Sequence, residues 1–190
     1  MVDNNGLITL YSAQSDLVIE QLKQNGRCFV KKEYVVKKYG ESAAIFVTAY
    51  DWFVSEAVKY LAKPQEAEYP YWAFQDAYNA APTGGEILCL QVPLTEAIFF
   101  ERDNWDKILR LQYMGENEAE EAAFRQSLAN YGVRREMDVI LTNFYPDLKR
   151  QVLASWQRLF QQHEEIRQGH IKAVKNLQAA LWCLKKEWLA

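Results

Sequence analysis

The chain has 190 residues, 49% of them hydrophobic and 25% charged, with a formal net charge of −3. That length suits one domain spanning 1–190, which buries about 70% of the surface its unfolded chain exposes, and the composition excludes disorder, which needs low hydrophobicity and a large net charge. The acidic balance speaks against a general nucleic-acid binder, which carries a basic field to neutralise phosphates; Lys31-Lys32, Lys37-Lys38, Arg134-Arg135 and Lys185-Lys186 read as solvated faces.

Leu7 to Tyr11 is β-branched and aromatic, and predicts a first strand. Ser15 can cap a helix running to about Asn25, and Gly26 supplies a left-handed residue just past its end. Arg27 to Val30 reads as a short extended piece. Ser42 is a second cap, for a helix in which Phe46, Ala49, Tyr50, Phe53, Ala57, Tyr60 and Leu61 fall at helical spacing. Tyr69 to Phe74 predicts a strand entered through Pro70, and Pro82-Thr83-Gly84-Gly85 predicts a turn. Glu86 to Val92 is apolar on both alternating faces, which predicts a central strand ended by Pro93.

Ala97 to Phe100 begins another extended piece, and Asp103 can cap a short helix carrying Trp105, Ile108 and Leu109. Residues 116–131 predict a helix with acids at its positive end, terminated by Gly132. Met137 to Leu141 is too short an apolar run to assign; as a strand it would set Glu136 and Asp138 on one face, a carboxylate pair capable of acid–base chemistry. Pro146 opens a helix with the buried stripe Leu148, Val152, Trp156, Leu159 and Phe160. Ile171, Val174, Leu177, Leu181, Leu184 and Trp188 fit a helix, while Leu177, Ala179, Leu181 and Cys183 also fit one face of a strand. The pattern predicts an α+β fold: a mostly antiparallel sheet flanked by helices in a single compact domain.

Cys28, Cys89 and Cys183 are odd in number and far apart, which argues against a disulfide framework or a zinc knuckle. His163 and His170 are not at a metal-binding spacing. Residues 1–6 have no basic stretch followed by an apolar run, and no segment reaches the roughly 18 apolar residues of a membrane span. Cytoplasm is the expected location. There is no G-x-S-x-G elbow, and Thr83-Gly84-Gly85 lacks the lysine of a phosphate loop.

Aromatic residues make up 14% of the chain, with six Trp. Such rings most often fill cores, and Trp156 on its apolar stripe reads as core; they also suit a site that stacks a planar ligand. Tyr71 and Trp72 point to opposite faces of their strand, so one of them should face away from the core. Gln14 stands where the first strand ends and a helix begins, and offers both a donor and an acceptor. Gln14, Trp52, Tyr71 and Trp72 are therefore expected to border one ligand-binding pocket. The expected partner is a small planar, nucleotide-like ligand, with no cofactor, metal, nucleic acid or membrane and no indicated protein partner.

Leu10-Tyr11-Ser12-Ala13-Gln14, Ala49-Tyr50-Asp51-Trp52 and Tyr69-Pro70-Tyr71-Trp72-Ala73 carry a family resemblance. So do Leu88 to Pro93 followed by Asp103-Asn104-Trp105, Ser155-Trp156-Gln157-Arg158-Leu159-Phe160, and Leu177-Gln178-Ala179-Ala180-Leu181-Trp182 with Glu187-Trp188. Together they resemble a bacterial family known as domain of unknown function 3841, over nearly the whole chain. The resemblance implies a closing strand at residues 176–184 and supplies no activity. The chain also resembles, at the level of fold, the ADP-ribosyltransferase-like enzymes, which hold NAD in a cleft between split sheets, with a Glu on the ribose and an aromatic on the nicotinamide. Ser12 follows Tyr11 where a His is expected in those enzymes, and Glu136 or Glu187 would have to supply the acid. A binding protein needs the cleft without the acid; an interaction module needs an exposed aromatic patch.

Overall fold

A computed structural model describes residues 2–3, 5–81 and 85–190; the predicted turn at Pro82-Thr83-Gly84 lies outside them. The strands β1 (Leu7–Gln14), β3 (Tyr71–Phe74), β4 (Glu86–Pro93), β5 (Ile98–Glu101) and β6 (Leu177–Leu181) form one sheet. Their order is β4-β1-β3-β6-β5, and every neighbouring pair is antiparallel. A separate ribbon pairs β2 (Arg27–Cys28) with β7 (Leu184–Lys185). The α+β expectation holds, as does the placing of residues 7–11, 69–74 and 86–92 in one sheet, although Tyr69 stands just outside β3 and bridges to Val30.

β3, β5 and β6 feed two cores, because successive side chains leave opposite faces, whereas β1 and β4 bury one face only. Ile98, Phe100, Ala180 and Trp72 face α3 (Ala43–Ala57), α5 (Arg102–Leu109) and α8 (Pro146–Ser155). Ile8, Leu10, Tyr71, Ala73, Phe99, Ala179 and Leu181 face α1 (Asp16–Asn25), α9 (His163–Arg167) and the β2-β7 ribbon. Trp156, fully buried, sits in the first core and donates its indole N–H to the carbonyl of Gln112 at 2.6 Å. The C-terminal segment resolves as β6 and β7, the strand that the family resemblance implies.

Three expectations need correcting. β4 is an edge strand, not a central one: Leu88, Leu90 and Val92 are buried, whereas Ile87 is exposed and Cys89 and Gln91 are half-buried. The middle of its outer edge is covered by the chain itself, through a Leu90–Leu189 bridge and a hydrogen bond from the Ala190 amide to the Cys89 carbonyl. Residues 136–141 are a helix, α7 (Glu136–Leu141), in which Asp138 pairs with Arg135; positions two apart on a helix point nearly opposite ways, so Glu136 and Asp138 share no face. Finally, Ser15 stands at the start of α1 but makes no capping hydrogen bond, and neither does Ser42 before α3. Asn117 is the side chain that caps α6 (Glu118–Asn130), accepting from the Glu120 amide.

His163, the first residue of α9, is buried against the sheet, and its Nδ1 accepts the Phe99 amide at 3.1 Å. Burial holds its pKa below the usual histidine value of about 6.5, with Glu164 opposing and Arg167 reinforcing that shift. The unfolded chain therefore binds this proton more readily. The contribution is fully present above about pH 6.5 and is lost as pH falls toward the lower folded value. Urea unfolding between pH 7.5 and 5 should show stability falling in that window, and His163→Gln should flatten the fall; an unchanged slope in the variant would show that this site does not govern it.

Candidate functional site

β1 and β3 are neighbours in the sheet, yet among the described residues they keep only Tyr11↔Phe74 in register. Continuing that register would set Ala13 opposite Trp72 and Gln14 opposite Tyr71, but the strands separate there. The gap is spanned by a side chain. Ser12, fully buried, donates its hydroxyl to the Trp72 carbonyl at 2.7 Å, and its oxygen accepts from Gln14 Nε2 at 2.8 Å. On its other side β1 stays fully paired with β4 out to Gln14↔Glu86, so the divergence comes from β3 alone. Gly85, at φ +96°, lets the returning chain close on the Gln14 backbone, where a Cβ would lie 2.3 Å from the Gln14 carbonyl oxygen.

The parted strands open into a cleft of about 470 Å³. Its floor is Tyr71, Trp72 and Tyr50. One wall is the end of β1 and the start of α1, with Gln14, Leu17, Val18 and Gln21; another is the extended run Cys28 to Val30. The third is α2 (Lys32–Tyr39), a helix absent from the expectations above, which contributes Tyr34, Lys37, Lys38 and Tyr39. A helix so short buries a single side chain completely, Val35, and so gives almost no periodic signal. The trace it does leave is the pair Val35 and Tyr39, four residues apart, followed by Gly40.

Tertiary contacts hold α2 in place. The Glu68 carboxylate accepts the Lys32 amide at its N-terminus, Lys32 pairs with Asp51 at 2.8 Å, and Tyr39 stacks on Phe46 with ring centres 3.6 Å apart. Asp51 is an exposed residue of α3, but it also accepts from the Tyr69 hydroxyl at 2.6 Å and so joins α2, α3 and the entry to β3.

Gln14, Tyr71 and Trp72 thus line one cleft. Trp52 does not: two residues from Tyr50 on α3, it points the opposite way and packs edge-on against Trp156 and along Phe160. Trp72 belongs to both places. Its indole N–H donates to the Tyr50 hydroxyl at 2.8 Å, and its ring meets Phe53 and Trp105 in the core. The Tyr50 and Tyr71 hydroxyls are pushed well above the usual tyrosine range, chiefly by burial, so both stay protonated as donors. Tyr34 differs: it is half exposed and, among the described residues, no other ring packs on it.

Neither acid of the transferase reading borders the cleft. Glu136 lies on α7, where burial raises its pKa beside Arg125 and Glu121. Glu187 is exposed at 4.0 Å from Lys185. Among the described residues, no cluster of three or more His, Cys, Asp or Glu could hold a metal ion, and no helix is long and apolar enough to cross a membrane.

Three of the segments that carry the family resemblance reach this cleft, through Ala13 and Gln14 at the end of β1, Tyr50 of α3, and Pro70 to Trp72 at the start of β3; the others lie away from it. Residues 9–190 match the family described as Domain of unknown function (DUF3841), and the chain belongs to it. No curated protein and no solved structure matches the chain.

The Ser12 hydroxyl serves two partners, and removing a buried group of this kind costs about 1–3 kcal/mol when its partners are left short. Ser12→Ala should lower unfolding free energy by that amount in urea melts, whereas Gln14→Ala, at the half-exposed end of the same chain of bonds, should cost less than about 1 kcal/mol. Equal costs would show that the bridge does not hold the gap.

Proposed function

We propose that this protein binds a small planar ligand in the cleft between β1 and β3, without itself carrying out an acid-dependent transfer. The observation that carries this reading is the cleft's make-up. It is apolar and aromatic, with a few convergent polar groups, as ligand pockets are, and Tyr34 offers a flat face not taken up by another ring. In this reading Tyr34 covers the ligand face, and Gln14 meets its polar edge through Oε1, since Nε2 is already given to Ser12. Tyr71 and Trp72 supply the rigid floor. The lining includes no carboxylate among the described residues, which favours a binder over an ADP-ribosyltransferase-like enzyme.

A thermal-shift screen of nucleosides, nucleotides, NAD and flavins tests this. A ligand at a hundredfold its Kd adds about 2.7 kcal/mol, a shift of several degrees for a chain of this size. The shift should disappear in Tyr34→Ala and weaken in Gln14→Ala while both variants melt near the wild type. A ligand whose effect survives both substitutions binds elsewhere and refutes the assignment of the cleft.

A further inference from the structure

Lys31 stands just before α2 and Lys32 at its start, and two more lysines stand near its end; the two pairs are treated differently. Lys31 pairs with Glu68 and Lys32 with Asp51. Lys37 and Lys38 have no carboxylate partner among the described residues, and both line the cleft. Lys38 Nζ rests 5.6 Å from the centre of the Tyr39 ring, a contact that holds a cation without neutralising it. Cations in the last turn of a helix are favoured by its dipole, which accounts for lysines at these positions. It does not account for both of them bordering an apolar cleft that has no described acid on its walls, in a chain whose net charge is −3.

We infer that the ligand of this cleft is anionic: a planar compound bearing a phosphate, whose charged group is received by Lys37 and Lys38 at the rim while its ring enters between Tyr34 and Gln14. This rests on the ligand-binding reading of the cleft and narrows it to a chemical class. Both lysines are solvent-exposed. Each ammonium is a compact, freely rotating donor suited to a phosphate as a point charge.

The test uses matched pairs of planar compounds that differ only in phosphate: adenosine and AMP, riboflavin and flavin mononucleotide, pyridoxal and pyridoxal phosphate. Binding is measured by calorimetry on the wild type, on Tyr34→Ala, and on the double variant Lys37→Gln/Lys38→Gln. Both lysines are exposed, so the double variant should keep the wild-type melting temperature. The expected result is that the phosphate-bearing member of at least one pair binds about ten- to a hundredfold more tightly than its neutral partner. That advantage should fall away in the double variant and shrink as salt rises. If the neutral member binds as tightly and the double substitution changes nothing, the anionic inference is overturned while the cleft remains a ligand site. If no member of any pair binds at millimolar concentration, or if binding survives Tyr34→Ala unchanged, the cleft reading falls and the inference falls with it.

Discussion

Between Tyr11 and Gln14 the first strand parts from β3 while holding its full register with β4, and one buried hydroxyl spans the interval. A sheet that separates between two inner strands ordinarily leaves backbone polar groups without partners. Here Ser12 meets the Trp72 carbonyl with its side chain, so the strands can stand apart without that group being stranded. The same oxygen accepts from Gln14 Nε2, which fixes the amide's orientation and leaves Oε1 as the outward-facing group. The width of the cleft, the aim of Gln14 and the exposure of one edge of Trp72 all follow from that short chain of hydrogen bonds. An uninterrupted ladder from Tyr11↔Phe74 to Gln14↔Tyr71 would have closed the space.

The two sides of the cleft differ in how firmly they are held. The floor belongs to the sheet and the α3 core, where Trp72 is packed against Tyr50, Phe53 and Trp105. The outer wall, α2, is fastened by an exposed ion pair, a carboxylate on its first amide and one stacked ring pair. Exposed ion pairs contribute little, about 0–1 kcal/mol each, so buried Val35 and the stack of Tyr39 on Phe46 are the firmer attachments. A wall of this kind can yield more readily than the floor, which places adaptability on the side that carries Tyr34, Lys37 and Lys38.

β6, with Leu177-Gln178-Ala179-Ala180-Leu181, carries no β-branched or aromatic residue and was implied as a strand only by the family resemblance, whereas β1, β3, β4 and β5 were legible in the sequence because they carry such residues and their turns are marked by Gly and Pro. Gly26 and Pro146 announced helix boundaries for the same reason. β4 was legible as a strand but not as an edge, because the feature that covers the middle of its outer side is a bridge from Leu90 to Leu189, far away in sequence. Residues 136–141 carried an apolar run shorter than the period needed to tell strand from helix. Of the cleft, Gln14, Tyr71 and Trp72 could be found from a strand end and an alternating pair. Trp52 was grouped with them by composition, although its position two residues from Tyr50 already sets it on the other side of α3. Tyr34 and the last two lysines of α2 were hidden: a basic pair next to a tyrosine looks the same in sequence whether it meets solvent or the mouth of a cavity.

β3 is joined to β6, and Tyr71 pairs with Leu181 across more than a hundred intervening residues. Contacts of such separation are slow to form, since the loop between them must be closed before any pairing rewards it. During synthesis β1 and β4 can meet early, while β3 keeps an unpaired edge until residues 177–181 have left the ribosome. For that interval the floor of the cleft is an open strand bearing Tyr71 and Trp72, the kind of surface that chaperones hold and that aggregation exploits. The cleft is thus among the last parts of the molecule to be completed, and a nascent chain acquires it only when its sheet is whole.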